Sequence, residues 1–305
     1  MHSTRKTLIV LTAILGLFLS SCGSKGSVDS NGMPKTLEVA VIQAEGFQQF
    51  TAAREKIYQF LGKKLGMKVE MITSTDYNGV IEALKAHKVH MADIPPFAYV
   101  LATRSMKLTP IVTLGIGGKP STYSSVIIVN GHSNLKSMDD VKANSKKLTF
   151  CFVEPASTSG HLIPRAYLNT IGLNPDTAFK QVIFAGNHAA SVMAVKSEKI
   201  DVGCTTDLVF GIMTKANMLK DGDLRVVWTS APIVSDPVVM RDDVNKDFTK
   251  KVQQAYLDMN TEAPELLQNY IKIFMKDSQK RSYIVAQDSM YNGLRSIAGG
   301  IKDLK

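Results

Sequence analysis

The fold is decided by the stretch "LTFCFVEPASTSGHLIPRAYL", residues 148–168. Its first six residues are apolar and β-prone, which predicts a buried strand, and its last part carries apolar side chains at near-helical spacing. Between the two lie Ser157, Thr158 and Ser159, followed by a glycine. A strand, a tight loop and a helix in this order are typical of an α/β protein.

The three hydroxyl residues stand at the start of the predicted helix, where a single one would suffice as a cap. The first backbone N–H groups of a helix have no intrahelical partner and its N-terminal end is positive, which favours an anion such as phosphate. The alternative is an N-cap or a hydroxyl turn that binds nothing. The rest of the chain has to separate these two interpretations.

The N-terminus has the three parts of a secretory signal: a positively charged start, an apolar core and small residues that lead to Cys22. The apolar core, residues 8–19, is too short for a membrane-spanning helix. The sequence "LSSC" resembles a bacterial lipobox, which implies cleavage after Ser21 and lipid attachment to Cys22. Cleavage by the ordinary signal peptidase is the alternative.

These features predict a lipoprotein signal peptide over residues 1–21. Residues 22–35 are rich in Gly and Ser and poor in apolar side chains, so we expect a flexible tether there. Several acyl chains on one cysteine would anchor the protein firmly, because a single chain binds a membrane only marginally.

The chain carries a formal net charge of +9, which is compatible with nucleic acid, a membrane surface or a small anion as the partner. Its lysines are scattered and it has 1 Trp for stacking, so we expect no nucleic-acid groove. Neither a CxxC pair nor a His/Cys cluster with ligand spacing occurs, so we expect no metal and no cofactor.

Two cysteines remain beyond the signal, Cys151 and Cys204. They could pair in an oxidising compartment. Each lies in a strand-like run, and neighbouring positions within one sheet suit disulfide geometry poorly. Two buried thiols are therefore the favoured interpretation.

From residue 36 onward, β-prone runs alternate with segments of helical periodicity, which predicts parallel sheets covered by helices. Ligands of such folds lie beyond the carboxyl ends of the strands. A weak internal repeat relates residues 81–97, "IEALKAHKVHMADIPPF", to residues 192–208, "VMAVKSEKIDVGCTTDL". If the copies occupy equivalent places in two lobes, Asp207 and the turn at Pro95 and Pro96 face each other across a ligand. Chance similarity is the alternative.

Several phrases, taken in order, resemble the phosphate, phosphite and phosphonate family of ABC-transporter substrate-binding proteins, from about residue 37 to residue 243. The most specific are the S-T-S-G loop, with Pro164 four positions after its glycine, and the N-H-x-A-S-x-x-A-V run. Any other phrase alone would be weak. The phrases are "STDYNGVIEALKAHKV", "PPFAYVLA", "STYSSVIIV", "EPASTSGHLIP", "FAGNHAASVMAVKSEKID" and "WTSAPIVSDPVVMRDD".

The resemblance implies the type II periplasmic-binding-protein fold, in which two lobes close on a ligand. Each lobe is expected to be a mainly parallel sheet flanked by helices. The chain should cross between the lobes near residues 123–126 and 230–235. The expected boundaries are residues 36–124 plus 232–305 for lobe 1 and residues 125–231 for lobe 2.

The resemblance also implies a ligand site. Tyr77 and Tyr123 match tyrosines that hydrogen-bond phosphonyl oxygens, residues 157–159 match the loop that holds the oxyanion, and His188 matches a histidine that closes over it. Hydroxyl and backbone N–H groups donate to a tetrahedral anion without a full counter-charge, and a protonated histidine adds a charge-assisted bond. Without a ligand, Tyr77 would staple a helix start, Tyr123 would be inter-lobe packing and His188 a loop residue.

Asp207 is expected in the site as well. Its carboxylate would repel a dianion unless the ligand carries a cation, as an aminoalkylphosphonate does, or shares a proton with it. His161 is expected on the helix surface and Arg165 in solvent. His90 stands where the family usually has Asp, which puts an acidic role in doubt there.

The sequence therefore predicts a lipid-anchored, monomeric binding protein that captures a phosphonate-like oxyanion and delivers it to an ABC permease. Inorganic phosphite or phosphate is the alternative ligand. The protein would lie in the cell envelope, on the outer face of a bacterial membrane, and would not be an enzyme.

Two rival functions are disfavoured. A secreted hydrolase would use Ser159 as nucleophile and His188 as base, but Ser157 stands where the G-x-S-x-G elbow needs Gly and no carboxylate is clearly placed to orient the histidine. A surface adhesin that has lost its ligand would have no need of both the S-T-S-G loop and His188.

Overall fold

The computed structural model describes residues 26–42, 48–274 and 279–301, and every structural statement below concerns these residues. The predicted signal peptide, its cleavage site and the lipidation of Cys22 lie outside the described residues. No helix in the described ranges is long and apolar enough to cross a membrane.

The strands and helices alternate along the chain, as the sequence pattern predicts. In chain order the strands are β1 (Leu37–Ile42), β2 (Val69–Ser74), β3 (Met91–Asp93), β4 (Leu108–Ile116), β5 (Lys119–Pro120), β6 (Thr122–Tyr123), β7 (Ser125–Asn130), β8 (Thr149–Phe152), β9 (Gln181–Phe184), β10 (Val202–Thr206), β11 (Leu224–Thr229), β12 (Ile233–Val234), β13 (Val238–Arg241) and β14 (Ser282–Val285). The helices are α1 (Gln48–Leu65), α2 (Tyr77–Lys85), α3 (Pro96–Ala102), α4 (Met138–Asn144), α5 (Ile163–Thr170), α6 (Pro175–Ala178), α7 (His188–Lys196), α8 (Asp207–Lys215), α9 (Lys246–Glu262), α10 (Pro264–Phe274) and α11 (Asn292–Gly300).

Two large sheets form the two lobes. The sheet of lobe 1 has the order β14-β4-β13-β3-β1-β2, with β5 paired to β4, and the sheet of lobe 2 has the order β11-β7-β10-β8-β9. Between the lobes, β6 and β12 pair antiparallel, with Ile233 opposite Tyr123. The crossing expected at residues 230–235 contains β12, and the one expected at residues 123–126 includes Tyr123, the second residue of β6. The predicted α/β architecture with two lobes is confirmed.

The sheets are mixed, whereas we expected them to be mainly parallel. In lobe 1, β1 pairs parallel with β2 and β3, but β13 runs antiparallel to β3 and β4. In lobe 2, β8 pairs parallel with β9 and β10, but β7 runs antiparallel to β10 and β11. The reason is that β7 and β13 directly follow the short crossing strands. Each of these two strands enters its sheet at the carboxyl ends of the parallel strands, so its direction is opposite to theirs.

The internal repeat corresponds to equivalent elements of the two lobes. Residues 81–97 run from α2 through β3 into α3, and residues 192–208 run from α7 through β10 into α8. His87 and Glu198, which occupy the same place in the two copies, both have left-handed backbone conformations, with φ of 54° and 59°. Such values are uncommon outside glycine. The repeat is therefore structural.

His90 and Asp201 also occupy the same place in the two copies. The backbone N–H of Glu38 donates to His90 Nδ1 at 3.2 Å, and the N–H of Thr149 donates to the Asp201 carboxylate at 2.7 Å. Each side chain thus binds a backbone N–H at the start of its lobe's central parallel strand, which is β1 in lobe 1 and β8 in lobe 2. The histidine thus makes the same backbone contact as the acidic residue of the other copy.

The segment expected as a tether is packed where the structure describes it, over residues 26–35. Gly26 is buried and its carbonyl accepts a hydrogen bond from Arg241 at 2.9 Å. Asn245 donates its N–H to the carbonyl of Gly32 at 2.8 Å. The expectation of a free tether was wrong for these residues, because the buried guanidinium of Arg241 donates to the carbonyl of Gly26 and Asn245 donates to that of Gly32.

Cys151 and Cys204 are both buried and unlinked, which confirms the interpretation as two thiols. Cys204 Sγ donates to the carbonyl of Gly160 at 3.0 Å. The thiol of β10 thereby contacts the backbone of the S-T-S-G loop, which follows β8.

Candidate functional site

A cavity of about 270 Å³ lies between the two lobes. It is bounded by the ends of β-strands and the first turns of helices, the place where ligands of open α/β folds bind. Of the seven residues that we expected in a ligand site, six line this cavity: Tyr77, Tyr123, Ser157, Thr158, Ser159 and His188.

The Ser-Thr-Ser loop, residues 157–159, enters a π-helical turn at Thr158–Leu162. Ser157 is the cap of this turn, since its hydroxyl accepts the N–H of Gly160 at 3.0 Å. A Cβ on Gly160 would lie 2.3 Å from the side chain of Val153, so only glycine fits. The capping interpretation is thus correct for Ser157, which also lines the cavity.

Tyr77 and Tyr123 lie beside this loop in the cavity lining. Tyr77 opens α2 behind the cap residue Asp76, whose carboxylate accepts the N–H of Gly79 at 2.6 Å. The Tyr77 side chain lies near that of Ser157, and the Tyr123 side chain lies near those of Thr158 and Ser159. Burial raises the pKa of both phenols, so both stay protonated and can act as donors.

His188 opens α7 behind Asn187, whose side chain accepts the N–H of Ala190 at 2.7 Å. Burial lowers the pKa of His188 to about 4, so its ring is neutral at neutral pH. Nδ1 lies 3.0 Å from the hydroxyl of Thr205. If that nitrogen accepts the hydroxyl proton, Nε2 carries the ring proton and is the nitrogen that can donate to a ligand. The charged histidine that we considered from the sequence is not needed for this bond.

Three ionisable residues of lobe 1 and the crossing region line the cavity without having been predicted. Arg54 of α1 pairs with Asp93 at 3.0 Å and donates to the hydroxyl of Tyr270 at 3.1 Å. Asp236 follows β12, and burial together with the nearby Asp93 raises its pKa to about 8. At neutral pH this carboxyl is mostly protonated and can donate a hydrogen bond.

The sequence held only weak signals for these three residues. Asp93 and Asp236 lie in the repeat and in the last phrase of the resemblance, but neither phrase assigns them a role. Arg54 reads as an ordinary charged position on an amphipathic helix, and only the tertiary structure brings it to the cavity.

Asp207 is the predicted site residue that the structure places outside the cavity lining, although its neighbours Thr206 and Leu208 belong to that lining. Its carboxylate accepts the N–H of Ser124 at 3.1 Å and lies 3.1 Å from the hydroxyl of Thr206. It ties the start of α8 to the crossing segment. The position expected to hold a ligand's amino group thus has a structural partner instead.

Comparison with known proteins identifies the family. The family model described as "ABC transporter, phosphonate, periplasmic substrate-binding protein" matches residues 39–297. The chain belongs to this family. The resemblance seen in the sequence phrases is therefore confirmed, and the protein is a substrate-binding component of the ABC-transporter type.

Two curated relatives are similar to this family member over most of its length. The phosphate-import protein PhnD of Mycolicibacterium smegmatis is 31% identical over 265 residues, which cover 84% of this chain and 81% of that protein. The phosphonates-binding periplasmic protein of Escherichia coli is 29% identical over 225 residues, 73% of this chain and 66% of that protein.

Solved structures of the family share the fold. The binding protein of an ABC phosphonate transporter from Pseudomonas aeruginosa superposes with a TM-score of 0.75 at 22% identity, covering 87% of this chain and 86% of that one. PhnD1 of Prochlorococcus marinus, solved in complex with methylphosphonate, gives a TM-score of 0.72 at 24% identity and covers 88% of this chain and 98% of that one.

In this binding protein His161 and Arg165 are buried, although we expected both at the helix surface. Arg165 Nε donates to His161 Nε2 at 2.9 Å and its Nη1 pairs with Asp176 at 2.9 Å, while His161 Nδ1 lies 2.7 Å from the carbonyl of Pro155. The π-helical turn is wider than an α-helical turn and shifts the facing of the residues after it. Through the carbonyl of Pro155, the His161–Arg165 pair contacts the backbone just before the Ser-Thr-Ser loop.

Glu154 is a further residue that the sequence reasoning missed, although it precedes the loop directly. Its Oε1 accepts the N–H of Tyr77 at 2.8 Å, a contact between lobe 2 and lobe 1. Its Oε2 is buried and has no hydrogen-bond partner among the described residues. Burial raises the pKa of this carboxyl to about 7. A second inter-lobe bond runs from the N–H of Phe97 to the Thr158 hydroxyl at 2.9 Å.

Proposed function

We propose that this protein is a lipid-anchored substrate-binding protein that captures a phosphonate-like oxyanion between its lobes and delivers it to an ABC permease in the membrane. The observation that carries the proposal is that one inter-lobe cavity is lined by the Ser-Thr-Ser loop, two tyrosines and a histidine. All of these groups are neutral donors, and both lobes contribute to them.

The charge balance of the cavity supports an oxyanion held by hydrogen bonds. Arg54 is neutralised by Asp93, so its charge is not the main counter-charge of the ligand. Asp236 has a raised pKa, so at neutral pH it adds a donor instead of a repelling charge. Hydrogen bonds to a charged acceptor contribute roughly 1.5–3 kcal/mol each, so several neutral donors suffice for tight binding.

Capture follows from the placement of donors on both lobes. A ligand that touches Tyr77 of lobe 1 and His188 of lobe 2 favours the closed arrangement, because it gains all of its contacts only there. The inter-lobe bonds of Glu154 and Thr158 add to the same closed arrangement. A permease that separates the lobes would release the ligand.

Location in the cell envelope fits this role. We propose that Cys22 carries the lipid, that the protein is held as a monomer on the outer face of a bacterial membrane, and that it needs no cofactor. The sequence motif "LSSC" supports the anchor. Mass spectrometry of the membrane fraction tests it, since a Cys22→Ala variant should lose the acyl mass and appear in the soluble fraction.

Inorganic phosphate or phosphite is the second candidate ligand, favoured by the name of the mycobacterial relative. A hydrolytic role gains no support, because His188 Nδ1 faces the hydroxyl of Thr205 where a catalytic triad would need a carboxylate. We therefore propose that the protein is not an enzyme.

Calorimetric titration of the mature chain with methylphosphonate, phosphite, phosphate and sulfate tests the proposal. Binding of methylphosphonate more tightly than the inorganic anions supports it, and tightest binding of phosphate or phosphite establishes the second candidate. If sulfate binds as well as every phosphorus oxyanion, or if none binds, the proposal is wrong.

A further inference from the structure

We propose that the oxyanion bound by this protein carries an apolar organic substituent, which lies between α8 and the aromatic side chains of lobe 1. This inference rests on the proposed function and names the kind of phosphonate that the site takes. It differs from the expectation of an amine-bearing ligand, which Asp207 motivated.

The cavity is larger than an inorganic oxyanion requires. Its volume of about 270 Å³ is roughly twenty times what a single water molecule needs by the same measure. Several of the polar donors lie close together, since Tyr77 and Tyr123 are near residues 157–159 in the cavity lining. The remaining space needs another part of the ligand to fill it.

Apolar and aromatic side chains from both lobes line the same cavity. Lobe 2 contributes α8, on which Leu208 and Ile212 share one face because they are four residues apart. Lobe 1 contributes Phe50, Tyr270 and Tyr283. Burial of an apolar substituent among these side chains would be favourable, whereas inorganic phosphate would leave the side chains exposed to water.

The two walls hold each other in place. The rings of Phe50 and Tyr270 meet edge to face with centroids 5.5 Å apart. Helix α8 packs on α10, and Lys215 Nζ donates to the carbonyl of Lys272 at 2.6 Å. The apolar slot is the space between Leu208 and Ile212 on one side and Phe50, Tyr270 and Tyr283 on the other. It is a built feature of the cavity, because its two walls are fixed by contacts within lobe 1 and between α8 and α10.

The charges of the cavity disfavour a cationic substituent. The carboxylate of Asp93 is committed to Arg54, whose guanidinium would repel an ammonium group. Asp207 of α8 bonds to Ser124 and lies outside the lining. The carboxyl of Asp236 is the competing amine partner among the described residues that line the cavity.

Two ligands with the same number of heavy atoms separate these alternatives. Propylphosphonate and 2-aminoethylphosphonate differ only in a terminal methyl or ammonium group. The mature chain, residues 22–305, should bind propylphosphonate about fifteenfold more tightly than methylphosphonate, since each buried methylene adds about fourfold. It should bind 2-aminoethylphosphonate at least about tenfold more weakly than propylphosphonate.

Propylphosphonate binding no tighter than methylphosphonate, or weaker than 2-aminoethylphosphonate, would overturn the inference and make Asp236 the amine partner. Methylphosphonate serves as the common reference. If it binds and the longer ligand does not, only this inference fails; if no phosphorus oxyanion binds, the proposed function itself fails.

Variants of α8 locate the substituent. Ile212→Trp fills the slot and should cost propylphosphonate at least about tenfold more affinity than it costs methylphosphonate, whose shorter substituent occupies less of the slot. Leu208→Asn, which keeps the number of side-chain heavy atoms but adds a polar group, should give the same pattern. Val226→Trp, on the exposed face of β11, is the control and should change neither ligand. Equal losses for both ligands in the two α8 variants would contradict the placement.

Discussion

The two lobes share one frame but present different chemistry to the ligand. Tyr77 of lobe 1 and His188 of lobe 2 occupy the same place, the first residue of a helix behind a side-chain cap, Asp76 or Asn187. Each donor is thus set by the same local rule: a polar cap satisfies the first N–H groups and fixes the helix start at the cleft.

The lobes differ in the rest of what they bring to the cavity. Lobe 2 supplies the neutral Ser-Thr-Ser loop, whereas lobe 1 supplies the ion pair of Arg54 with Asp93 and aromatic rings. The shared fold of the two lobes therefore determines the position of each side chain at the cleft. The residue type at that position determines whether the side chain binds the oxyanion or the apolar substituent of the ligand. Five predictions test this division, from the largest expected effect to the smallest.

Gly160→Ala should have the largest effect, because it disrupts the loop of lobe 2. The new Cβ would lie 2.3 Å from Val153, and overpacking of this kind costs roughly 1–3 kcal/mol of unfolding free energy. Binding of methylphosphonate should fall by roughly a hundredfold, as several buried hydrogen bonds are lost. Gly299→Ala, where nothing lies within 4 Å of the added atom, is the control for calorimetry and thermal melting.

Thr158→Ala should come next, with a loss of roughly 1–3 kcal/mol in binding. The hydroxyl faces the cavity and also accepts the N–H of Phe97 from lobe 1, so its removal weakens ligand contact and closure together. Ser157→Ala should lose a similar amount. Thr158→Ser keeps the hydroxyl and should stay within about threefold of the wild type; unchanged affinity in both alanine variants would return the loop to helix capping alone.

Tyr77→Phe and His188→Phe compare the matched positions of the two lobes. Each removes one neutral donor, and each should weaken methylphosphonate binding by roughly tenfold, the worth of one hydrogen bond to an anion. If only the histidine variant binds more weakly in the titration, lobe 1 closes over the ligand without donating to it. That result would contradict the claim that Tyr77 and His188 are equivalent donors.

Glu154→Gln should change the pH dependence of binding. In this structure, where Glu154 accepts the Tyr77 N–H across the lobes, burial raises the pKa of Glu154 to about 7 and the nearby carboxylate of Asp76 acts in the same direction. We take this arrangement as the closed one, and we take the pKa of Glu154 to be ordinary when the lobes open. A raised closed-state pKa means that closure takes up a proton, so this contribution to affinity is present at low pH and is lost as pH rises through about 7.

The size of this effect follows from linkage. Between pH 6 and pH 8 the wild type should lose up to about tenfold in affinity through Glu154, and the glutamine variant should lack that part of the slope. The ratio of the two affinities at each pH cancels the titration of the ligand itself and of Asp236. Parallel pH profiles for the two proteins would show that Glu154 takes up no proton on closure.

Asp207→Asn should have the smallest effect, less than about twofold for methylphosphonate and 2-aminoethylphosphonate alike. The reason is that its carboxylate serves Ser124 and not the cavity, and an asparagine oxygen can still accept that N–H. A selective loss for the aminophosphonate would restore the role that the sequence suggested.

Much of the site could be predicted because its signals are local. The caps, the hydroxyl loop and the glycine lie within short stretches, and six of the residues chosen from them line the cavity. The two-lobed fold follows from alternating elements, the repeat and the resemblance.

The rest depends on contacts between distant segments. Arg54 and Asp93 meet across 39 residues and Glu154 reaches Tyr77 across 77, distances at which a sequence pattern gives no direction. The orientation of Asp207 depends on the N–H of Ser124 in the crossing segment. The burial of His161 depends on a π-helical turn that assumed α-helical spacing does not predict.

The most direct test of the central claim is a crystal structure of the mature chain grown with methylphosphonate. We predict one ligand between the lobes, with its oxygens on the Ser-Thr-Ser loop, Tyr77, Tyr123 and His188 and its methyl group toward Ile212. A ligand whose oxygens lie on Arg54 instead, or one bound outside the cavity, would contradict the account.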